Sequence, residues 1–415
     1  MKRLLGRAEA YMGTDMAYLA SAGFWMNLAV VASSLLTLGL YLIFARVVPK
    51  EVFGTYQYLL SLGVLISALT LTGMNSAVVR SVARGFEGTY KRAVRYQLLW
   101  GMLPLLAALG IALYYYVNGN AMLAIALVAI GLFAPINNAF NTYGAYLQGR
   151  KDFRGFFWYN LSLNLVYHGA MGVAAFYATG ALILLFANLV SQGAGMYLLY
   201  RRTLAAHPPN EAEDPEAMTY GKHLSLMGFF SAVGVQADNI LAFHYLGPAA
   251  LAVYAFSTAI PDRLAGLLKF LPSAALPKLA TKSPDEIRSS FMHKRIGLIA
   301  AGALVIVIAY ILAAPWIYTY LFPTYMESVS FSQIYAFTIL ATLANFFAAG
   351  LTAGGRTRSL YIYNVAAPVM QIGMQWAGVL IAGLLGLIVA KTISAFFALG
   401  LSALLVYLPS ADDGR

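Results

Sequence analysis

Not one cysteine occurs among the 415 residues, which excludes disulfides, thiolate metal sites and thiol nucleophiles and leaves the redox compartment open. Charge is scarce too: 10% of residues are Asp, Glu, Lys or Arg, against about 25% in a soluble domain. Five scattered histidines give no HExxH or similar ligand spacing, so neither a metal nor another cofactor is expected. No P-loop of the form GxxxxGKS or GxxxxGKT is present, so the chain is not by itself an ATP-driven pump. A cleavable signal peptide is not expected either. Lys2, Arg3 and Arg7 precede a short amphipathic stretch and then an apolar run without a convincing cleavage site.

What fills the chain instead is apolar: 60% of residues are hydrophobic and the mean hydropathy is +0.71. This composition predicts an all-α polytopic membrane protein. Runs long enough to span fall near 20–44, 53–79, 95–117, 121–147, 156–178 and 180–200. After a gap they resume near 220–246, 249–275, 296–321, 330–352, 359–382 and 384–408, for twelve spans in all. Only Gly383 and Gly386 punctuate the last pair.

Basic residues set the sidedness. The N-terminus, the connections after even-numbered spans and the C-terminal tail hold 22 of the 27 Lys and Arg. The opposite connections hold only Arg46 and Lys50. By the positive-inside rule both termini are expected in the cytoplasm. The basic run RSVARGFEGTYKRAVR (80–95) is then a cytoplasmic loop, and the net charge of +11 implies no nucleic-acid partner.

Residues 201–218, with four acids and three prolines, predict a flexible linker between two six-span halves. The expected organisation is an amphipathic N-terminus at 1–19, a first bundle at 20–200, a linker at 201–219, a second bundle at 220–408 and a tail at 409–415. The halves show internal similarity. VVPKEVFGTY (47–56) can be laid on YLGPAALAVY (245–254), and LQGRKDFRGFFWYN (147–160) on TAGGRTRSLYIYN (352–364). Six spans per half would make them parallel repeats with a binding site between them.

Charge inside spans is costly and marks either a pathway or an ion-paired helix seam. As a helix, residues 259–279 place Asp262 and Lys269 on one face with Ala265 and Gly266 between them, and Arg263 about 100° away. Asp238 lies in the seventh span and Lys391 in the twelfth. Arg263, Lys269 and Lys391 are candidate lumen cations; Asp238 and Asp262 would orient them or couple an ion. Amides form further stripes: Asn160, Asn164 and His168 at i, i+4 and i+8, Asn137 with Asn141, and Asn364 with Gln371 and Gln375. They suit either helix–helix hydrogen bonding or a groove for sugar hydroxyls.

FGTYQYLLSLGVLISALTLTGMNSAVVRSVARG (53–85), DNILAFHYLGPAALAVYAF (238–256) and DRLAGLLKFLPSAALPKLA (262–280) resemble the corresponding regions of bacterial oligosaccharide flippases. These form the polysaccharide branch of the multidrug/oligosaccharidyl-lipid/polysaccharide (MOP) exporter superfamily. The resemblance implies two six-helix bundles in a V, alternating access and an undecaprenyl-pyrophosphate-linked oligosaccharide as cargo. Arg263, Lys269 and Lys391 would then hold the pyrophosphate, and the amide stripes the glycan. Membrane lipids, a polysaccharide polymerase and glycosyltransferases are the implied partners. Three other readings stay open: a cation-coupled multidrug antiporter, a membrane polymerase or ligase, and a non-transporting scaffold. The first span lacks the acid that drug-extruding relatives use, and the outer loops are too short for a catalytic surface.

Overall fold

The computed structural model describes residues 16–268, 290–353 and 356–407. Among them there is helix and turn but no strand. That is the outcome hydrocarbon demands of a chain that cannot leave backbone groups unpaired. The first six helices are α1 (Met16–Val47), α2 (Lys50–Ala68), α3 (Met74–Ala83), α4 (Thr89–Trp100), α5 (Met102–Val117) and α6 (Ala121–Gly149). Next come α7 (Phe153–Phe176), α8 (Ala181–Ala206), α9 (Ala217–Leu246), α10 (Pro248–Leu268) and α11 (Ser290–Leu321). After a short 3-10 turn at Pro323–Tyr325 follow α12 (Ser328–Tyr335), α13 (Thr338–Ala341), α14 (Ala344–Ala353) and α15 (Thr357–Tyr407). Eight stretches among the described residues are long and apolar enough to cross a membrane.

Several expected spans are interrupted. The one predicted at 53–79 divides into α2 and α3 around Leu71, whose φ of 64° no continuous helix accommodates. Gln97 Nε2 donates to the Leu71 carbonyl (3.1 Å), and Thr142 donates to Gln97 Oε1 (3.0 Å), so buried side chains serve the break. Between α4 and α5, a Cβ on Gly101 would lie 2.5 Å from the Pro135 ring, so only glycine lets α6 approach there. At the far end, α15 contains both expected spans. Its backbone reverses at Ala382 and at Gly383, which has φ 57°. The two arms then meet so closely that a Cβ on Gly386 would sit 1.9 Å from the Gly378 carbonyl oxygen.

The chain forms two compact units: residues up to Val48 with Leu62–Ala232, and Pro49–Ser61 with Val233 onward. In the first, Met74, Val78, Tyr90, Ala93 and Tyr146 anchor a buried core. In the second, Ala265, Val307, Tyr310 and Ile339 do so, and Gly54 packs directly on the Pro248 carbonyl. The aligned stretches 47–56 and 245–254 therefore touch within one unit.

The linker is docked, which corrects the expectation of flexibility. Gly88 N donates to Ala212 O (2.9 Å), and Asn210 bridges Glu87 N (3.1 Å) and Gly85 O (2.9 Å). Asp214 is 4% exposed; it accepts from Ser81 Oγ (2.8 Å), and its amide donates to Thr89 Oγ1 (2.9 Å). Burial pushes the Asp214 carboxyl up. Bonds from Ser81 and the Glu216 amide, with the Arg84 and Arg80 charges, more than offset this and hold it below its ordinary value. Residues 1–15 and 408–415, and with them most of the expected N-terminal segment and tail, lie outside the described residues.

Candidate functional site

Within the second unit, α9, α10, α12 and α15 bring together Asp238, Tyr254, Asp262, Tyr335 and Lys391. Asp238 is 1% exposed and pairs with the Lys391 ammonium. The Tyr254 hydroxyl lies 2.6 Å from Asp238 Oδ2 and 2.8 Å from Lys391 Nζ, so all three groups share one hydrogen-bonded triangle. Holding one proton, Tyr254 donates to the carboxylate and accepts from the ammonium. The Lys391 ammonium also lies over the Tyr254 and Tyr335 rings, at 5.4 and 5.3 Å from their centroids. Tyr335 in turn donates to Asp262 Oδ1 (2.8 Å).

This geometry explains how charge survives in an apolar bundle. An isolated ion there costs several kcal/mol, but a paired one with its remaining hydrogen-bond sites filled can be retained. Asp238 begins one turn after Gly234, where α9 and α15 approach: a Cβ on Gly234 would lie 3.1 Å from Pro368. Gln371 Nε2 bonds the Gly234 carbonyl (3.2 Å) and fixes that crossing.

Arg263 is half-buried on α10, and its Nη1 donates to the Ala259 carbonyl one turn back (2.7 Å). Asp262 is exposed apart from its bond to Tyr335. Lys269 lies outside the described residues, and with it the expected Asp262–Lys269 face. Asn364 is exposed, whereas Gln375 is fully buried, neither amide atom having a hydrogen-bond partner among the described residues.

The first unit places the other amides. Asn160, Asn164 and His168 line the side of α7 that meets Ser33 and Thr37 of α1. Asn137 is half-buried, with its Oδ1 close to Gly193, and Asn141 is exposed. Sequence reasoning did not single out Tyr254, Tyr335, Gln97 or Thr142. Tyrosine is common in this chain, at 28 residues, so two of them facing one lysine leave no local signal.

No curated protein sequence matches the chain. A family model described as "Polysaccharide biosynthesis protein" matches residues 43–330. Among solved structures, a multidrug resistance MATE family transporter of the MOP superfamily, inward-facing, is 16% identical with a TM-score of 0.66. That match covers 90% of this chain and 93% of the other. The outward-facing conformation of such a transporter gives 15% and 0.66 over 94% of both chains. The lipid II flippase MurJ, in an inward closed conformation, gives 13% and 0.67 over 93% of this chain and 88% of the other. At these identities the likeness concerns the fold. The matched family model covers more than half of the chain and leads to one assignment: this chain belongs to the polysaccharide biosynthesis protein family, and it is a multi-pass membrane protein whose fold resembles that of these MATE and MurJ structures.

Proposed function

We propose that this protein flips an undecaprenyl-pyrophosphate-linked oligosaccharide across the bacterial inner membrane by alternating access. The exported glycan supplies a surface polysaccharide such as O-antigen, capsule or exopolysaccharide. Both termini are cytoplasmic, and glycosyltransferases and a polymerase act before and after the flip. The observation that carries this reading is the buried Asp238–Lys391 pair with Tyr254 and Tyr335, linked through Tyr335 to the exposed Asp262, in an apolar bundle of a polysaccharide biosynthesis family member.

In this mechanism Arg263 and Lys269 attract the pyrophosphate, since a guanidinium binds phosphate oxygens bidentately. Asp238 neutralises Lys391 and orients it, so Lys391 meets the anion only when that pair opens. Asp262, held by Tyr335, sets the charge balance beside Arg263. The amides Asn137, Asn141, Asn160, Asn164, Asn364 and Gln371 offer donors and acceptors to the glycan, whereas Gln375 is fully buried and both His168 nitrogens face Asn164 and Thr37. The lipid tail remains in hydrocarbon. A drug antiporter on the same fold is less well supported, because α1 carries no acid from Met16 to Val47.

The test is Arg263→Ala in a strain that depends on this protein for surface polysaccharide. The expected result is loss of surface glycan with normal membrane insertion and a monodisperse purified protein. Full surface glycan in that strain removes Arg263 from the pyrophosphate role.

A further inference from the structure

The seam between α1 and α7 contains His168, held by groups whose hydrogen-bond roles are largely fixed. His168 Nδ1 lies 2.6 Å from the Asn164 carbonyl oxygen. A carbonyl only accepts, so Nδ1 carries a proton whatever the charge of the ring. His168 Nε2 lies 3.2 Å from Thr37 Oγ1. That hydroxyl also lies 2.7 Å from the Ser33 carbonyl oxygen, a second obligate acceptor.

Thr37 has a single proton to give. If the hydroxyl points at His168, the ring is neutral and Nε2 accepts. If it points at Ser33, its lone pair faces His168, and Nε2 is satisfied only by carrying a proton itself. The same heavy-atom positions therefore suit both protonation states, and a hydroxyl rotation interconverts them. The shorter contact to Ser33 favours the arrangement that receives the imidazolium.

The surroundings are built to hold the ring in place. Asn164 Nδ2 donates to the Asn160 carbonyl and side-chain oxygens (2.8 Å each), and Ser33 Oγ donates to Asn160 Oδ1 (3.3 Å). The Tyr167 ring stands edge-on to the imidazole at 4.8 Å, its hydroxyl receiving Asn188 Nδ2 of α8 (3.1 Å). The helices packed against α7 are α1, α6 and α8. Their ionisable residues are Tyr18, Tyr41 and Arg46 on α1, Tyr143 and Tyr146 on α6, and Tyr197, Tyr200, Arg201 and Arg202 on α8. On α7 itself they are Arg154, Tyr159 and Tyr167. None is a carboxylate, so no neighbouring acid fixes His168 in the charged form. His168 itself is half-buried.

We propose that His168 is a proton-binding site: Nε2 takes a proton from water while Thr37 turns from donor to acceptor, and the charge change in the α1–α7 seam is coupled to transport. The coupling rests on the transporter reading above; the proton site does not. Histidine is the side chain suited to such exchange between about pH 5 and 8.

The protonation itself is read by imidazole nitrogen NMR on the full chain, histidine-labelled and in lipid nanodiscs. His168→Gln identifies its resonances among the five histidines. The expected result is a titration between about pH 5 and 8 whose midpoint falls by about one pH unit in Thr37→Val, which removes an acceptor from the charged ring. Thr37→Ser should restore it. No titration in that range, or an unmoved midpoint in Thr37→Val, overturns the proton site. Coupling is read in proteoliposomes as the pH dependence of lipid-linked glycan flipping. It should flatten in His168→Gln, and an unchanged profile overturns the coupling. Absence of flipping by the wild-type protein would instead count against the transporter reading, while the NMR titration would still decide the site.

Discussion

Lys391 shows most plainly how a single residue depends on its partners. Its ammonium is shared by Asp238 and Tyr254 and lies over two aromatic rings. Removing it leaves the Asp238 carboxylate buried and uncompensated. Lys391→Met should therefore destabilise the folded protein by about 3 kcal/mol. The double variant Asp238→Asn with Lys391→Met should recover most of that loss, because an amide needs no counter-ion. Thermal unfolding of the detergent-solubilised variants, followed by size-exclusion profile, checks both. Equal instability of single and double variants would mean the pair is not what holds these helices. Tyr254→Phe should cost less, about 1.5–3 kcal/mol, since it removes hydrogen bonds to charged groups but leaves the ion pair. Both ions were legible in the sequence, because charge in an apolar run stands out. Their pairing was not, since Asp238 and Lys391 are 153 residues apart and nothing local joins them. For Arg263 the sequence indicated a charge within the span, but not that its guanidinium bonds a carbonyl of its own helix.

At the scale of elements, close backbone approaches and the docked linker make separate predictions. Gly386→Val would drive a side chain into the Gly378 carbonyl, which cannot move aside as a flexible side chain could. The cost should exceed the roughly 1–3 kcal/mol of ordinary overpacking, seen as loss of monodisperse protein. Punctuation by Gly383 and Gly386 was readable because positive φ and close contact both select glycine. The interruption at Leu71 was not, because the residue there is ordinary and its support comes from Gln97 and Thr142, distant in sequence. Composition also misjudged the linker. Prolines and acids suggest a solvated chain, whereas Asn210 and Asp214 find their partners on residues 81–89. Asp214 titrates below its ordinary value, so its contribution to docking is complete above about pH 4 and is lost as the pH falls through the lowered folded value. A spin label at Pro209→Cys, placed without removing any native thiol, should be immobile at neutral pH and become mobile in acid. In Asp214→Asn it should be mobile at neutral pH as well. Immobility under all these conditions would show that Asp214 does not secure the linker.

For the whole molecule, composition made the membrane class legible and the spacing of apolar runs made the helical architecture legible. The cargo is a different matter, since it depends on which polar faces meet the lipid-linked substrate. Under the function proposed above, a polysaccharide biosynthesis family member uses buried charge to move an anionic lipid-linked glycan. The most direct test is reconstitution of purified protein in proteoliposomes with a labelled undecaprenyl-pyrophosphate-linked oligosaccharide on one leaflet. Protein-dependent appearance of unaltered glycan at the opposite leaflet is expected, strongly reduced in Arg263→Ala. No appearance beyond protein-free vesicles, or an equal rate in Arg263→Ala, would contradict that function.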